Sequence, residues 1–231
     1  MRYLDEGQIE DIAVGSAVLG TGGGGNPYLG MLGAIQAIRK HGDLELYTLD
    51  ELPDDTLAVS PFAIGSPVPF IERLTITDEI MAAYRAMSRY LGKEIGAIIS
   101  AEIGGVNSVI PLAVARELGL PAVDADGMGR AYPQLQLCTF TLFGHAATPL
   151  AVADEHGNVA VMETIDNVWI ERLARPLELG VATGHGDVVE EHVTLRGAPD
   201  QRPPLARLER LAGHASARAH DEGGAGDAER R

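Results

Sequence analysis

Acidic side chains follow two neighbouring apolar segments of the sequence, at positions where buried strands would end. Glu102 comes at the end of the first segment and is followed by Gly104 and Gly105. Ligands of open α/β sheets bind outside the carboxyl ends of the strands, and burial there would raise the pKa of a carboxyl group toward neutrality. Glu102 is therefore a candidate general base. The alternative is that it caps nearby backbone amides.

The second acidic motif is Asp124-Ala-Asp126, which closes the next apolar segment. Its i, i+2 spacing places both carboxylates on one face of a strand, where they push their pKa values apart, so that one could act as acid and the other as base. Arg130 would pair with one Asp or hold an anionic substrate. The same two Asp residues could instead hold a divalent metal ion or cap a turn. No other cofactor is expected.

A glycine-rich stretch, residues 20–25, contains the pattern G-x-G-x-x-G. A dinucleotide-binding fingerprint must follow a strand, but residues 5–19 have helical spacing and an acidic start, which argues against that interpretation. Two alternatives remain. The stretch is either a loop that needs positive φ angles, or an anion cradle made by the amides of Gly22, Gly23, Gly24 and Gly25 before the helix that begins at Asn26-Pro27.

Two further features of the sequence are weaker candidates for a functional site. Cys138, the single cysteine, lies among apolar residues and is expected to be a buried, inert thiol. The sequence Glu-His-Gly-Asn at 155–158 predicts a hairpin turn that exposes His156. The motifs G-x-S-x-G, G-x-x-x-x-G-K-[ST] and H-E-x-x-H are absent from the sequence, so serine hydrolase, P-loop NTPase and zinc peptidase functions lose their usual support.

The elements that must position these residues alternate along the chain. Helices are expected over 5–19, 27–41, 78–91, 107–118 (capped by Asn107 or Ser108) and 166–173, and strands over 44–49, 57–65, 97–105 and 121–127. Continuously apolar strands separated by helices indicate a three-layer α/β fold with a mostly parallel sheet and helices on both faces. From Leu135, the short segments LQLCTFTLFG, LAVADEHGN and VAVMETI predict a small β annex of antiparallel strands.

Composition limits the partners. The 231 residues carry a formal net charge of −15, which disfavours nucleic acid, because its binders must neutralise phosphates. Apolar runs stay below the roughly 18 residues of a spanning helix, and no secretory signal precedes the first helix. We therefore expect a cytoplasmic protein that acts on a small-molecule substrate and binds no membrane. A homo-oligomer is possible.

The C-terminal quarter differs in kind. From Pro176 onward the sequence lacks Trp, Tyr, Phe, Ile, Met and Lys, while Arg, Ala, Gly, Pro and His accumulate. Such a composition buries too little apolar surface to fold well alone. We expect a domain over residues 1–175 and a low-order, disordered C-terminal tail over residues 176–231, either natural or the frameshifted or truncated remainder of a second domain.

Taken in order, LGTGGGGNPYLG, AEIGGVNS, VDADGMGRAYPQLQ and ADEHGN resemble the bacterial S-methyl thiohydantoin desulfurase-like family. The likeness runs from the N-terminus to about residue 175. It implies a three-layer α/β domain followed by a mostly β second domain, and hydrolytic removal of sulfur or a methylthio group from a thiohydantoin-type ring. Family members continue beyond this point with an aliphatic second domain, so the likeness covers the N-terminal domain.

With that reaction, the residue types suggest a division of roles. Glu102 or Asp126 is expected to be the base, with Asp124 as its acid partner, while Arg130, Asn107 and the amides of Gly22 to Gly25 are expected to bind the substrate. The alternative from another class is a non-catalytic domain that binds a hydantoin-like or nucleotide-like molecule, or a truncated remnant. The two differ in turnover, because a binding module holds the ring without releasing thiol.

Overall fold

A computed structural model describes residues 1–64, 77–154, 156–181 and 187–194; for residues 77, 177–181 and 187–194 it describes the backbone alone. The strands are β1 (Arg2–Leu4), β2 (Leu44–Tyr47), β3 (Leu57–Ile64), β4 (Ala97–Ser100), β5 (Ala122–Asp126), β6 (Leu150–Ala153), β7 (Val159–Met162) and β8 (Asp187–Thr194). The helices are α1 (Glu6–Gly20), α2 (Pro27–His41), α3 (Thr77–Leu91), α4 (Ile110–Leu118), α5 (Thr139–Leu142) and α6 (Asn167–Val181).

The strands form one sheet in the order β1-β2-β5-β4-β3-β8-β6-β7. Its centre, β2-β5-β4-β3, is parallel, whereas the outer pairs are antiparallel. The α/β fold with a parallel core and an antiparallel annex is thereby confirmed, and β8 joins the annex to the core. All four parallel strands end at one side of the sheet, here called the carboxyl edge.

Apolar side chains cover both faces of this sheet. On one face, residues such as Val59 and Ile98 pack with α1, α2, α3 and α4 in the main core. On the other face, Phe62 and Leu150 pack against α6, while Ile99 packs with Phe140 of α5. Each large side chain that is removed from water in this way contributes roughly 1.5–3 kcal/mol. The three-layer arrangement follows from these two buried faces.

The first two helices begin where the sequence predicts. Asp5 and Gln8 form a capping box, in which each side chain accepts a hydrogen bond from the other residue's backbone amide. Asn26 caps α2 by accepting from the Tyr28 amide, and Pro27 occupies the first turn. Because α1 leads into the glycine stretch, G-x-G-x-x-G directly follows a helix and not a strand. The argument against dinucleotide binding is confirmed on this point.

Three predicted elements differ from the structure. The strand expected over 97–105 ends at Ser100, so Glu102 lies in the turn that follows it. The helix expected over 107–118 begins at Ile110, and Asn107 and Ser108 lie in a preceding 3-10 turn, Gly105–Ser108, so neither caps it. The segment LQLCTFTLFG is not a strand but a 3-10 turn followed by α5. There the amide and hydroxyl of Thr139 both donate to the Gly127 carbonyl, 2.8 and 2.6 Å away. This long-range anchor holds the segment out of the sheet.

Parts of the expected C-terminal tail are described. Helix α6 continues from residue 176 to Val181, and β8 pairs with β3 from Leu57↔Thr194 to Ile64↔Asp187. The remainder of the tail lies outside the described residues, and the domain boundary at residue 175 stays a prediction.

Candidate functional site

Three connections meet at the carboxyl edge: the glycine loop (residues 21–26), the β4 turn (residues 101–108) and the β5 loop (residues 127–134). The Val106 amide donates to the Gly24 carbonyl at 2.7 Å, and the Gly127 amide donates to the Ala101 carbonyl at 3.1 Å. Backbone bonds therefore join the β4 turn to both of its neighbours. These contacts fix the relative position of three segments that are distant in sequence.

Glycine is required where the loops touch. Gly24 has φ +70°, and a Cβ atom there would lie 2.6 Å from the Gly104 carbonyl oxygen. Gly105 also has φ +70°, and its Cβ would overlap the backbone of Gly24. Any side chain at either position would separate the glycine loop from the β4 turn. The expectation of a loop with positive φ angles is confirmed.

Between these loops lies a cleft with a volume of about 790 Å³. It is lined by residues from the glycine loop, the end of β3, the β4 turn, the β5 loop and α6, including Gly22, Gly23, Gly24, Gly25, Ala63, Glu102, Asn107, Tyr132 and Arg175. The cleft thus lies outside the carboxyl ends of β3 and β4, where open α/β sheets bind their ligands.

Glu102 is the acidic residue of the cleft lining. Its side chain is buried, with an exposed fraction of 5%. Oε1 accepts a hydrogen bond from Asn107 Nδ2 at 2.8 Å, and Oε2 accepts one from the Tyr132 amide at 2.7 Å. Burial raises the pKa of Glu102 to about 7, although these two hydrogen bonds oppose the rise and Asp126 adds to it. At neutral pH this carboxyl group can accept or donate a proton.

Asn107 holds Glu102 and the end of β3 together. Its Oδ1 accepts from the Ala63 amide at 2.8 Å, and its Nδ2 donates to the Ala63 carbonyl at 3.0 Å as well as to Glu102. The side chain borders the cleft but uses its polar atoms on the protein itself.

Asp124 and Asp126 are buried outside the cleft lining. Asp126 Oδ2 accepts from the amides of Ile103, Met128 and Gly129 at 3.2, 2.9 and 2.5 Å, so it fastens the β4 turn to the β5 loop. Asp124 Oδ2 lies 3.8 Å from the Arg2 guanidinium. The structure therefore places the glycine loop, Glu102 and Asn107 around one cleft, with the Asp pair behind it.

The positively charged side chain in the cleft lining belongs to Arg175 and not to Arg130, which the sequence suggested. Arg130 is exposed and lies outside the lining. Arg175 lines the cleft instead. Its Nε donates to Glu171 Oε1 at 2.6 Å, and its Nη2 donates to the Pro133 carbonyl at 2.7 Å. No local pattern distinguishes Arg175 in the sequence, because its role depends on contacts with the β5 loop some 42 residues earlier.

The glycine loop also lines this cleft. The backbone amides of Gly22, Gly24 and Gly25 donate no hydrogen bond to another described residue, whereas the Gly23 amide donates to the Gly20 carbonyl at 2.8 Å. The loop also leads into the N-terminus of α2, where the helix dipole favours negative charge. The cleft therefore combines a buried carboxyl group, a guanidinium and a set of backbone donors.

The other candidates lie apart from the cleft. Cys138 is buried, with Sγ 3.4 Å from the Gly127 carbonyl, and His156 is exposed beside the β6–β7 turn, as predicted. Within the described ranges, no group of three or more His, Cys, Asp and Glu side chains is placed to hold a metal ion. No helix in the same ranges has the length and apolar character needed to cross a membrane.

Fold and site define a three-layer α/β domain with a cleft at the carboxyl edge. The chain belongs to the family described as S-Me-THD-like, N-terminal domain, whose model matches residues 7–164. A crystal structure of a protein from Chromobacterium violaceum shares the fold, with a TM-score of 0.83 and 23% sequence identity over 94% of this chain and 62% of that one. This chain thus spans less than two thirds of that protein. The comparison with curated proteins found no match.

Proposed function

We propose that this domain hydrolyses the carbon–sulfur bond of an S-methyl thiohydantoin-type ring. The observation that carries the proposal is Glu102, a buried carboxyl group with a pKa of about 7 in the wall of the cleft. The family description, S-Me-THD-like, supports the same chemistry. A base that titrates near neutrality has the right proton affinity to activate water.

The reaction requires one proton acceptor and one proton donor. The ring carbon that carries the methylthio group lies between two nitrogens and is electrophilic. Glu102 takes a proton from water as the water oxygen bonds to this carbon, and it passes that proton to the ring nitrogen. It then takes the proton of the new hydroxyl group and delivers it to the leaving sulfur. The carbon–sulfur bond breaks, methanethiol leaves, and the ring carbon becomes the carbonyl of a hydantoin.

The remaining groups of the cleft bind and polarise the ring. Amides of the glycine loop donate to a ring oxygen, where negative charge develops as the water adds. Arg175, held in place by Glu171, donates to the same ring oxygen or to an anionic substituent of the ring. Asp126 acts on Glu102 through its charge and through the backbone that it fastens, and Asp124 lies further back.

The test is product formation from a synthetic S-methyl thiohydantoin. Methanethiol is followed with a thiol reagent and hydantoin by mass spectrometry, in the wild-type chain and in Glu102→Gln. We expect wild-type release that falls by about 10²-fold or more in the variant, as losses of general acid/base groups commonly do. Tight binding of the ring without any thiol release would support the non-catalytic binding domain instead.

A further inference from the structure

We infer that Asn107 is a positioning residue, which ties the carboxylate of Glu102 to the end of β3, and not a ligand of the substrate. This inference deepens the proposed function and rests on it for the effect on turnover. Its structural part concerns the protein alone and can be tested separately.

Hydrogen bonds within the protein hold the side-chain amide of Asn107. Asn107 is 6% exposed, and its side chain makes three hydrogen bonds: Oδ1 with the Ala63 amide, and Nδ2 with the Ala63 carbonyl and with Glu102. A primary amide has one acceptor oxygen and two N–H donors. The two bonds to Ala63 fix the orientation of the amide, so that its second N–H is directed at Glu102.

Asn107 contacts β3 where that strand extends past its pairing with β4. Strand β4 pairs with β3 at Ala58 and Val59 and ends at Ser100, so Ala63 lies beyond the residues of β3 that pair with β4. The Asn107 amide gives Ala63 the donor and the acceptor that a longer β4 would have given. A side chain thus replaces a strand's peptide group at the point where the sheet opens into the cleft, and the backbone polar groups of Ala63 stay satisfied.

Other side chains at position 107 would lose some or all of these hydrogen bonds. Aspartate at this position keeps an acceptor for the Ala63 amide but loses both donors, and it adds a charge beside Glu102. Leucine has a similar volume and no polar group. The charged group that acts on Glu102 is Asp126, and Arg175 from α6 lines the same cleft. Neither of them changes in these variants.

The experiment compares Asn107→Leu with Asn167→Leu. Asn167 is a matched control, because it is equally buried and also ties backbone segments together, at Ala147 and His145, but lies outside the cleft lining. The Glu102 carboxyl group is followed by NMR titration and assigned with Glu102→Gln. In Asn107→Leu the pKa should rise by roughly 1 pH unit, the effect of losing one hydrogen bond to a charged group. Asn167→Leu should leave it unchanged.

Two further measurements complete the test: the turnover of Asn107→Leu and an NMR titration of the wild type. In Asn107→Leu, kcat for thiol release should fall by about 10-fold or more and stay low at pH 9, with KM changed less than kcat, because the base has lost its orientation. If the variant fails to fold, the side-chain NH2 signals of Asn107 in the wild type decide. They should titrate with a midpoint near 7 and become flat in Glu102→Gln.

An unchanged Glu102 titration in Asn107→Leu, or Asn107 signals that do not respond to pH in the wild type, would overturn the positioning role. Absence of thiol release from the wild type would instead overturn the proposed function, and the titration result would stand. A rise in KM with unchanged kcat would return Asn107 to the substrate-binding residues.

Discussion

The backbone amide of Tyr132 donates to Glu102 Oε2 at 2.7 Å, and this bond links the β5 loop to the carboxyl group at the end of β4. It gives the buried side chain of Glu102 a fixed orientation in the wall of the cleft. A carboxyl group held in this way titrates near neutrality because burial disfavours its charged form more than its two hydrogen bonds favour it.

Glu102 should make the stability of the fold depend on pH. Its pKa is about 7 in the folded protein and close to 4.5 when exposed, so the protonated form favours folding. The contribution of Glu102 to the free energy of unfolding is then complete below pH 4.5 and is lost progressively as the pH rises to 7. The total loss is about 3 kcal/mol.

The measurement is urea unfolding of the wild type and of Glu102→Gln at pH 5 and pH 8. The variant should be the more stable protein at pH 8, because glutamine has no charge to bury. Equal pH dependence in both proteins would show that Glu102 titrates normally.

The glycine loop should tolerate substitution unevenly. Gly24→Ala combines a positive φ with a clash against Gly104, whereas Gly22→Ala has a positive φ and open space around it. We expect Gly22→Ala to cost about 1–2 kcal/mol of unfolding free energy from the backbone alone and Gly24→Ala to cost more. Chemical denaturation compares them. Equal losses would mean that the contact between the glycine loop and the β4 turn is loose.

Asp126→Asn should affect stability and pH dependence more than turnover. Asp126 Oδ2 accepts three backbone amides, so we expect a loss of about 1–3 kcal/mol in unfolding free energy. Removal of its charge should lower the pKa of Glu102, since Asp126 now raises it. Asp124→Asn serves as the control on the same strand. A loss of turnover at pH 8 as large as that of Glu102→Gln would place Asp126 among the reacting groups.

Arg175→Met should weaken binding of the ring. The guanidinium lines the cleft and is oriented by Glu171 and the Pro133 carbonyl, so its loss should raise Kd by about 10-fold, the effect of one charge-assisted hydrogen bond. Arg172→Met is the control, because Arg172 lies on the same helix over the Trp169 ring. Calorimetric titration with an S-methyl thiohydantoin gives both values, and equal affinities would remove Arg175 from the binding site.

Local patterns predicted the features that depend on near neighbours. The acidic start of α1 and the start of α2 at Asn26-Pro27 depend on contacts within one helical turn. The carboxyl-edge position of Glu102 followed from the apolar segment before it. Sequence could therefore identify the parallel core and the acidic residue at its edge.

Long-range contacts account for what sequence could not predict. Asn107 has a good capping position, but its amide is taken by Ala63, 44 residues away. The segment around Cys138 alternates like a strand, yet Thr139 is anchored to Gly127 instead. Arg175 enters the cleft through its contact with Pro133. In each case tertiary packing decides between local conformations that are close in energy.

The most direct test of the account is the pH dependence of thiol release from an S-methyl thiohydantoin. If Glu102 is the base, kcat/KM of the wild type should rise with pH, with an apparent pKa of about 7, and reach a plateau above pH 8. Glu102→Gln should show a low and flat profile. A wild-type profile without a transition near pH 7, or a transition that persists in Glu102→Gln, would contradict the assignment of Glu102 as the base.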